Sequence, residues 1–245
     1  MLRYFILLQI IITASTSIQA QGFSGFKKKL QQVIPSQQRS GFSEKEAGNA
    51  IKEALNKGIL NGVDIVSLKD GYFKNELIKI PFPEQAKQVE STLRGIGLGS
   101  QIDKATETLN HAAENAAKEA IPIFTSAIKS MTVKDAISII NNKQQDAATQ
   151  YLKTVTTDQL IIAFKPSIKV ALDNVNATKY WSDIMTRYNR IPFVQKTETD
   201  LPEYVTRKAI DGLFIMVARE EEKIRKDPGA RTSALLKKVF GNIKL

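Results

Sequence analysis

The run Arg219-Glu220-Glu221-Glu222, followed by Arg225, is the densest set of groups in the chain that could bind or transfer a proton. It comes directly after six apolar residues and a glycine, Gly212 to Ala218. Read as a helix from Leu201, the segment places Val205, Ala209, Leu213, Val217, Glu221 and Ile224 on one stripe. Glu221 therefore continues a buried face, while Glu220 and Glu222 are expected to point to solvent. Arg225 lies one turn beyond Glu221, where an ion pair forms naturally. A half-buried acid beside a guanidinium can either hold a polar ligand or fix the packing of helices. As a ligand site it would draw on Glu221, Arg225 and Arg187, with aromatic walls from the Tyr180–Tyr188 region, including Tyr188. Asp146 and Tyr151 in "DAATQYL" are further binding candidates.

Other chemistry is thinly supported. His111 is the only histidine, flanked by Glu107 and Glu114 on the helix face opposite an alanine stripe. That face reads as solvated. One histidine and no Gly-x-Ser-x-Gly elbow leave no hydrolase triad. The absence of cysteine removes Cys/His zinc sites. "GIGLG" lacks the lysine and preceding strand of a phosphate loop and reads as a helix end. No metal, cofactor or catalytic residue is assigned. A glycosidase needs only two carboxylates, so Glu221 or Glu114 keeps open an envelope hydrolase acting on peptidoglycan or another glycan. The preferred reading is a non-enzymatic binding or interaction protein.

Helices must position these residues. Ser43 and Glu46 form a capping box that opens a helix through Ala47, Ile51, Leu55, Ile59, Val63 and Val66. Gly58 and Gly62 beside this stripe permit a close neighbour. Asp70-Gly71 marks a turn, and a short strand at Leu77–Ile80 carries little weight. A helix from Glu84 ends at Gly97 or Gly99. An alanine-rich helix follows, with Ile102, Ala105, Leu109, Ala112, Ala116 and Ala120 inward, until Pro122 interrupts it. Thr132 with Asp135 starts another helix. Asp146 caps a short one, and Thr156 with Gln159 starts a separate one that Pro166 breaks. Further helices cover Ala177 to Tyr188 and Leu201 onward, with Asp227-Pro228 opening the last. No segment alternates with period two. The fold class is all-α: a single-domain multi-helix bundle with a buried central C-terminal helix.

The 245 residues carry a net charge of +10, unevenly placed. Residues 21–40 hold +4 and residues 223–245 hold +6, which leaves the body near neutral. No nucleic-acid-binding face is expected from a neutral body. The basic ends suit an anionic lipid surface or simple solubility. Residues 1–20 have Arg3, an apolar run from Tyr4 to Ile12 and small residues up to Ala20, which is the layout of a secretory signal peptide. The run is too short to span a bilayer, which takes about 20 residues. The expected organisation is signal peptide 1–20, flexible basic leader 21–40 with little periodicity, and helical domain 41–245. Export to the periplasm or beyond would follow cleavage near Ala20, with no transmembrane segment in the mature chain. Partners would be an envelope protein, a glycan or an anionic lipid surface.

Several stretches carry a resemblance: "AIKEAL", "IPFPEQAKQVESTLRGIGLG", "HAAENAAKEAIPIF", "DAATQYL", "TTDQL", "RYNRIPF" and "DGLFIMVAREEEKIRKDPGARTSALLKKVFG". Over residues 41–241 the chain resembles the uncharacterised bacterial family known as domain of unknown function 4197. The resemblance implies an exported helical protein with no established activity, and it carries no catalytic role onto any residue.

Overall fold

A computed structural model describes residues 41–83, 86–95, 97, 99–190 and 200–242. Residues 1–40, expected to hold a signal peptide and leader, and Phe193 lie outside the described residues. So do the side chains of Arg187 and Tyr188. Among the described residues the fold is all-α and contains no strand.

Helix α1 (Glu44–Ser67) begins with the expected box: the Ser43 hydroxyl accepts from the Glu46 N–H while the Glu46 carboxylate accepts from the Ser43 N–H. An irregular segment follows. Asp70 has φ 66, and the Tyr72 side chain is fully buried. Ile80 pairs its N–H and C=O with Asn110 and not with a strand. Helix α2 (Lys87–Gly95) closes on Gly97 at φ 87. Helix α3 (Gly99–Ala116) passes through a 3₁₀ turn (Ala117–Glu119) into α4 (Ala120–Ser130). That turn precedes Pro122, which has no N–H to offer the Lys118 carbonyl. Helix α5 (Val133–Asn141) has its Thr132–Asp135 box in place.

Helix α6 (Ala147–Asp173) is continuous, which corrects two expectations. Thr156 does not start a helix. It is buried mid-helix, and its hydroxyl donates to the Leu152 carbonyl at 2.7 Å. Pro166 does not end one either. Leu152, Thr156, Leu160, Phe164, Ile168 and Leu172 are all buried at four-residue steps, and this packing outweighs local signals. The carbonyl that Pro166 leaves without a helical donor belongs to Ile162, 73% exposed, where water can replace the lost bond.

Helix α7 (Ala177–Tyr188) leads to α8 (Leu201–Lys226), whose N-cap Asp200 accepts from the Glu203 N–H at 3.0 Å. Asp227 then caps a 3₁₀ turn (Pro228–Ala230) before α9 (Ala234–Asn242), which buries Leu236, Val239 and Phe240. Helix α8 buries fifteen of its 26 residues and packs along both α1 and α6. It is not buried on every side, since Ile215 stays 43% exposed.

Glycines set the α1–α8 approach. A Cβ on Gly58 would meet the Glu220 Cβ at 3.4 Å, and one on Gly62 would meet Val217 at 3.3 Å. One on Gly212 would fall 2.7 Å from the Tyr72 ring and 3.1 Å from the Ile78 Cβ. As numbering rises along α1 and falls along α8 through these contacts, the two helices run antiparallel. Gly212→Ala is expected to lower unfolding stability by about 2 kcal/mol through overpacking. Gly58→Ala should leave stability unchanged or raise it by up to about 1 kcal/mol through helix propensity. Urea midpoints for the two variants check this ordering, and equal effects would contradict it.

Candidate functional site

Helix α8 brings Glu221 and Arg225 to the first turn of α6. The Glu221 carboxylate accepts from the Ala148 N–H at 3.0 Å, from the Thr149 N–H at 2.8 Å and from the Thr149 hydroxyl at 2.8 Å. Arg225 donates to the same carboxylate from Nε at 2.9 Å, and its Nη2 lies in ion-pair contact at the same distance. The first amides of a helix have no partner within it. Here Glu221 supplies one from another helix, with its charge at the positive end of the α6 dipole. Asp146 occupies the N-cap position but makes no side-chain cap bond. Its carboxylate accepts from the Gln150 side chain at 2.8 Å instead. Tyr151, one turn along, is half-buried, and burial with the nearby Asp135 charge pushes its phenol above the ordinary value.

The ionic joint continues below. Arg231 caps the C-terminal end of α8, donating to the carbonyls of Ile224 at 2.9 Å and Arg225 at 2.6 Å. Arg225, 1% exposed, also reaches the Ile139 carbonyl at 3.4 Å and leaves Nη1 without a protein partner. A void of about 10 Å³ lies beside Glu221, lined otherwise by apolar residues including Ile51, Leu55, Val217 and Phe240. It has room for one water but few polar groups to hold it.

Glu220 corrects an expectation. It is 7% exposed and accepts from the Asn61 amide at 3.0 Å and from Lys223. Burial raises its carboxyl, but the hydrogen bonds from Lys223 and Asn61 outweigh that, and the group sits below the usual range.

Glu114 corrects another. It is 3% exposed and accepts three backbone amides from the segment after α1: Asp70 at 3.1 Å, Tyr72 at 3.0 Å and Phe73 at 3.1 Å. His111 lies above it, 3.2 Å from the Asp70 carboxylate and stacked edge-on against Phe73. The Asp70 carboxyl is lowered by its bond to Lys74 and then by His111. Tyr72 donates to the Ala209 carbonyl at 2.7 Å, and burial, with the Glu114 charge, pushes its phenol far up. The signal for this site was a polar pair, Asn110 and Glu114, one turn apart on an alanine-rich helix.

Among the candidates, Glu221 and Arg225 lie together at the start of α6, with Asp146 at the N-cap position and Tyr151 one turn along. Arg187 and Tyr188 cannot be placed, because their side chains lie outside the described residues. Elsewhere on α7, Trp181 is buried edge-on against Phe82 at 5.6 Å and Tyr180 is exposed. No group of three or more acidic or histidine residues suited to a metal occurs among the described residues. No described helix is long and apolar enough to cross a membrane.

The architecture defines a class: an all-α helical protein in which two buried acids, Glu114 and Glu221, are committed to backbone amides of neighbouring segments. Residues 41–241 match the model of a family described as a protein of unknown function, DUF4197, and the chain belongs to that family. No curated protein and no solved structure shows significant similarity to it.

Glu221→Gln is expected to destabilise the fold by about 3–5 kcal/mol, because it strands a buried guanidinium. A urea titration showing a loss below about 1 kcal/mol, the value of an exposed pair, would contradict the buried joint. A second outcome concerns pH. Glu220, Asp200 and Glu203 all have carboxyls below their ordinary values: Glu203 through Lys165, and Asp200 because Lys165 and the Glu203 amide outweigh burial. Their contribution is complete above the unfolded carboxylate range, about pH 4 to 4.5. It is lost as pH falls through the lowered folded values. The urea-midpoint gap between wild type and Glu220→Gln should therefore narrow below about pH 4. A gap that stays constant with pH would assign it to packing.

Proposed function

We propose that the protein is an exported, non-enzymatic binding or interaction protein of the bacterial cell envelope. The observation that carries this reading is the saturation of two buried acids, Glu221 and Glu114. Glu221 holds three donors of α6 and a guanidinium, and Glu114 holds three amides. A general acid or base needs a lone pair or proton within reach of substrate, and these two carboxylates have theirs occupied. That weakens the glycan-hydrolase alternative, which named these acids.

The N-terminal layout supports export: a basic start, a short apolar run and small residues to Ala20. In this reading Glu221 and Arg225 act indirectly. They fix the first turn of α6, and Asp146 at its N-cap and Tyr151 just beyond that turn are the groups of the binding face.

Asp146→Ala and Tyr151→Ala should each reduce capture of an envelope partner by the purified protein while moving the melting temperature little. Native mass spectrometry of protein taken from its own envelope fraction would show a ligand directly, if one is held. On a peptidoglycan zymogram the protein should leave no cleared zone. Clearing that disappears in Glu114→Gln or Glu221→Gln variants that remain folded would establish the hydrolase.

A further inference from the structure

We propose that the outer face of α6 is a homodimer interface, on which a second copy of the chain lies antiparallel about a two-fold axis at Ile162. This goes beyond the envelope-interaction reading and does not rest on it.

Helix α6 packs on α8, α3 and α4, and its buried row runs from Leu152 to Leu172 at four-residue steps. The opposite side carries a second row at the same step: Asp158, Ile162, Pro166 and Val170, all exposed. Val155 and Gln159 lie beside it and are exposed too. Ile162 is 73% exposed, Val170 61% and Val155 43%. Single apolar side chains on a surface need no partner, but these form a line. A four-residue row is also the ridge by which helices most often pack on one another.

The charges identify the occupant. Lys165 and Lys169 follow Asp158 by seven and eleven residues, so all three share one side of the helix. A two-fold axis at Ile162 sets each residue opposite the one equally far from 162 in the other direction. Asp158 then meets the turn at Pro166 of the second copy, between that copy's two lysines. Parallel pairing would set acid on acid and lysine on lysine. Within its own chain Lys165 holds Asp200 at 2.8 Å and Glu203 at 2.9 Å, and Lys169 holds Asp173. Each ammonium has three donors, so each keeps at least one for a further acceptor.

The proline supplies an independent observation. Pro166 has no N–H for the Ile162 carbonyl, which leaves an acceptor in the middle of the exposed row. Acyl chains or a purely apolar partner would bury it unpaired, which is unfavourable. Under the same axis Gln159 of the second copy stands opposite Lys165, beside this carbonyl, and its amide can donate to it. The face thus holds both halves of each polar contact, acid with lysine and amide with carbonyl. That self-complementarity is what an isologous interface requires. The line from Val155 to Val170 is about 22 Å long at the helical rise per residue. One such helix pair buries less than the roughly 1,600 Å² of a standard interface, so the dissociation constant should fall at about 10–100 μM.

The chain has no cysteine, so single-cysteine variants report the geometry. The axis places residue 162 against its own counterpart and residue 170 about 24 Å from its counterpart. Mild oxidation above the dissociation constant should therefore link Ile162→Cys into a covalent dimer and leave Val170→Cys a monomer. Equal linking of both, or of neither, overturns the proposal. Sedimentation equilibrium of the protein as the cell processes it should show monomer and dimer exchanging with concentration. Ile162→Asp should weaken that association by about tenfold or more. Asp158→Lys should weaken it as well. Both positions are exposed, so an unchanged melting temperature serves as the folding control. A protein that stays monomeric up to about 1 mM, well above the expected constant, overturns the proposal. So does a dimer that either substitution leaves intact.

Discussion

The joint between Glu221 and the start of α6 is the constraint on which the rest of the fold depends. Helix α6 runs 27 residues and supplies a long row of core side chains, yet its own N-cap residue does not cap it. The unpaired amides of Ala148 and Thr149 are buried, and buried amides left unpaired are costly. Glu221 satisfies both from α8. Its charge in turn holds Arg225, and the C-terminal carbonyls of Ile224 and Arg225 are closed by Arg231. One carboxylate thereby sets the axial position of α6 against α8 and the point where α8 turns into α9. Apolar contacts along two helices allow sliding by a turn, whereas a carboxylate seated on two specific amides does not.

The same device is used again at the other end of α1. The segment from Asp70 to Ile80 is neither helix nor strand, so its backbone groups need partners from elsewhere. Glu114 accepts three of its amides and Asn110 pairs with both polar groups of Ile80. The small side chains of Ala112, Ala113, Ala116 and Ala117 keep α3 close to its neighbours, so these two polar groups reach main chain. Tyr72, clamped here, passes its hydroxyl to the Ala209 carbonyl of α8, and only a glycine at position 212 leaves room for its ring. Glu221 and Glu114 thus tie α8 or its surroundings to irregular or terminal backbone.

What the sequence made legible was periodicity and local capping. The Ser43 and Thr132 boxes, the two glycines of α1, the Asp227-Pro228 corner and the Glu221–Arg225 pair all rest on residues within four positions of one another. The failures share a cause. Thr156 with Gln159 looks like a helix start, and Pro166 like a helix end, until the burial of Leu152 through Leu172 is known. Glu114 and Glu220 look solvated until the segments that cover them are placed. Those partners are more than forty residues away for Glu114 and more than a hundred and fifty for Glu220 and Asn61, and no local pattern encodes them. The candidate site was visible as a pair. Its attachment to Thr149, which decides what the pair does, was not.

This attachment also shapes where function can reside. The chain contains no cysteine, so export to an oxidising space would bring it no covalent cross-links. Buried carboxylates seated on backbone amides give the bundle fixed joints of another kind, and they do so by using up the acids that chemistry would otherwise employ. Reactivity and rigidity compete for the same side chains here. With Glu114 and Glu221 committed to rigidity, the groups at the start of α6 that are free to meet other molecules are surface ones.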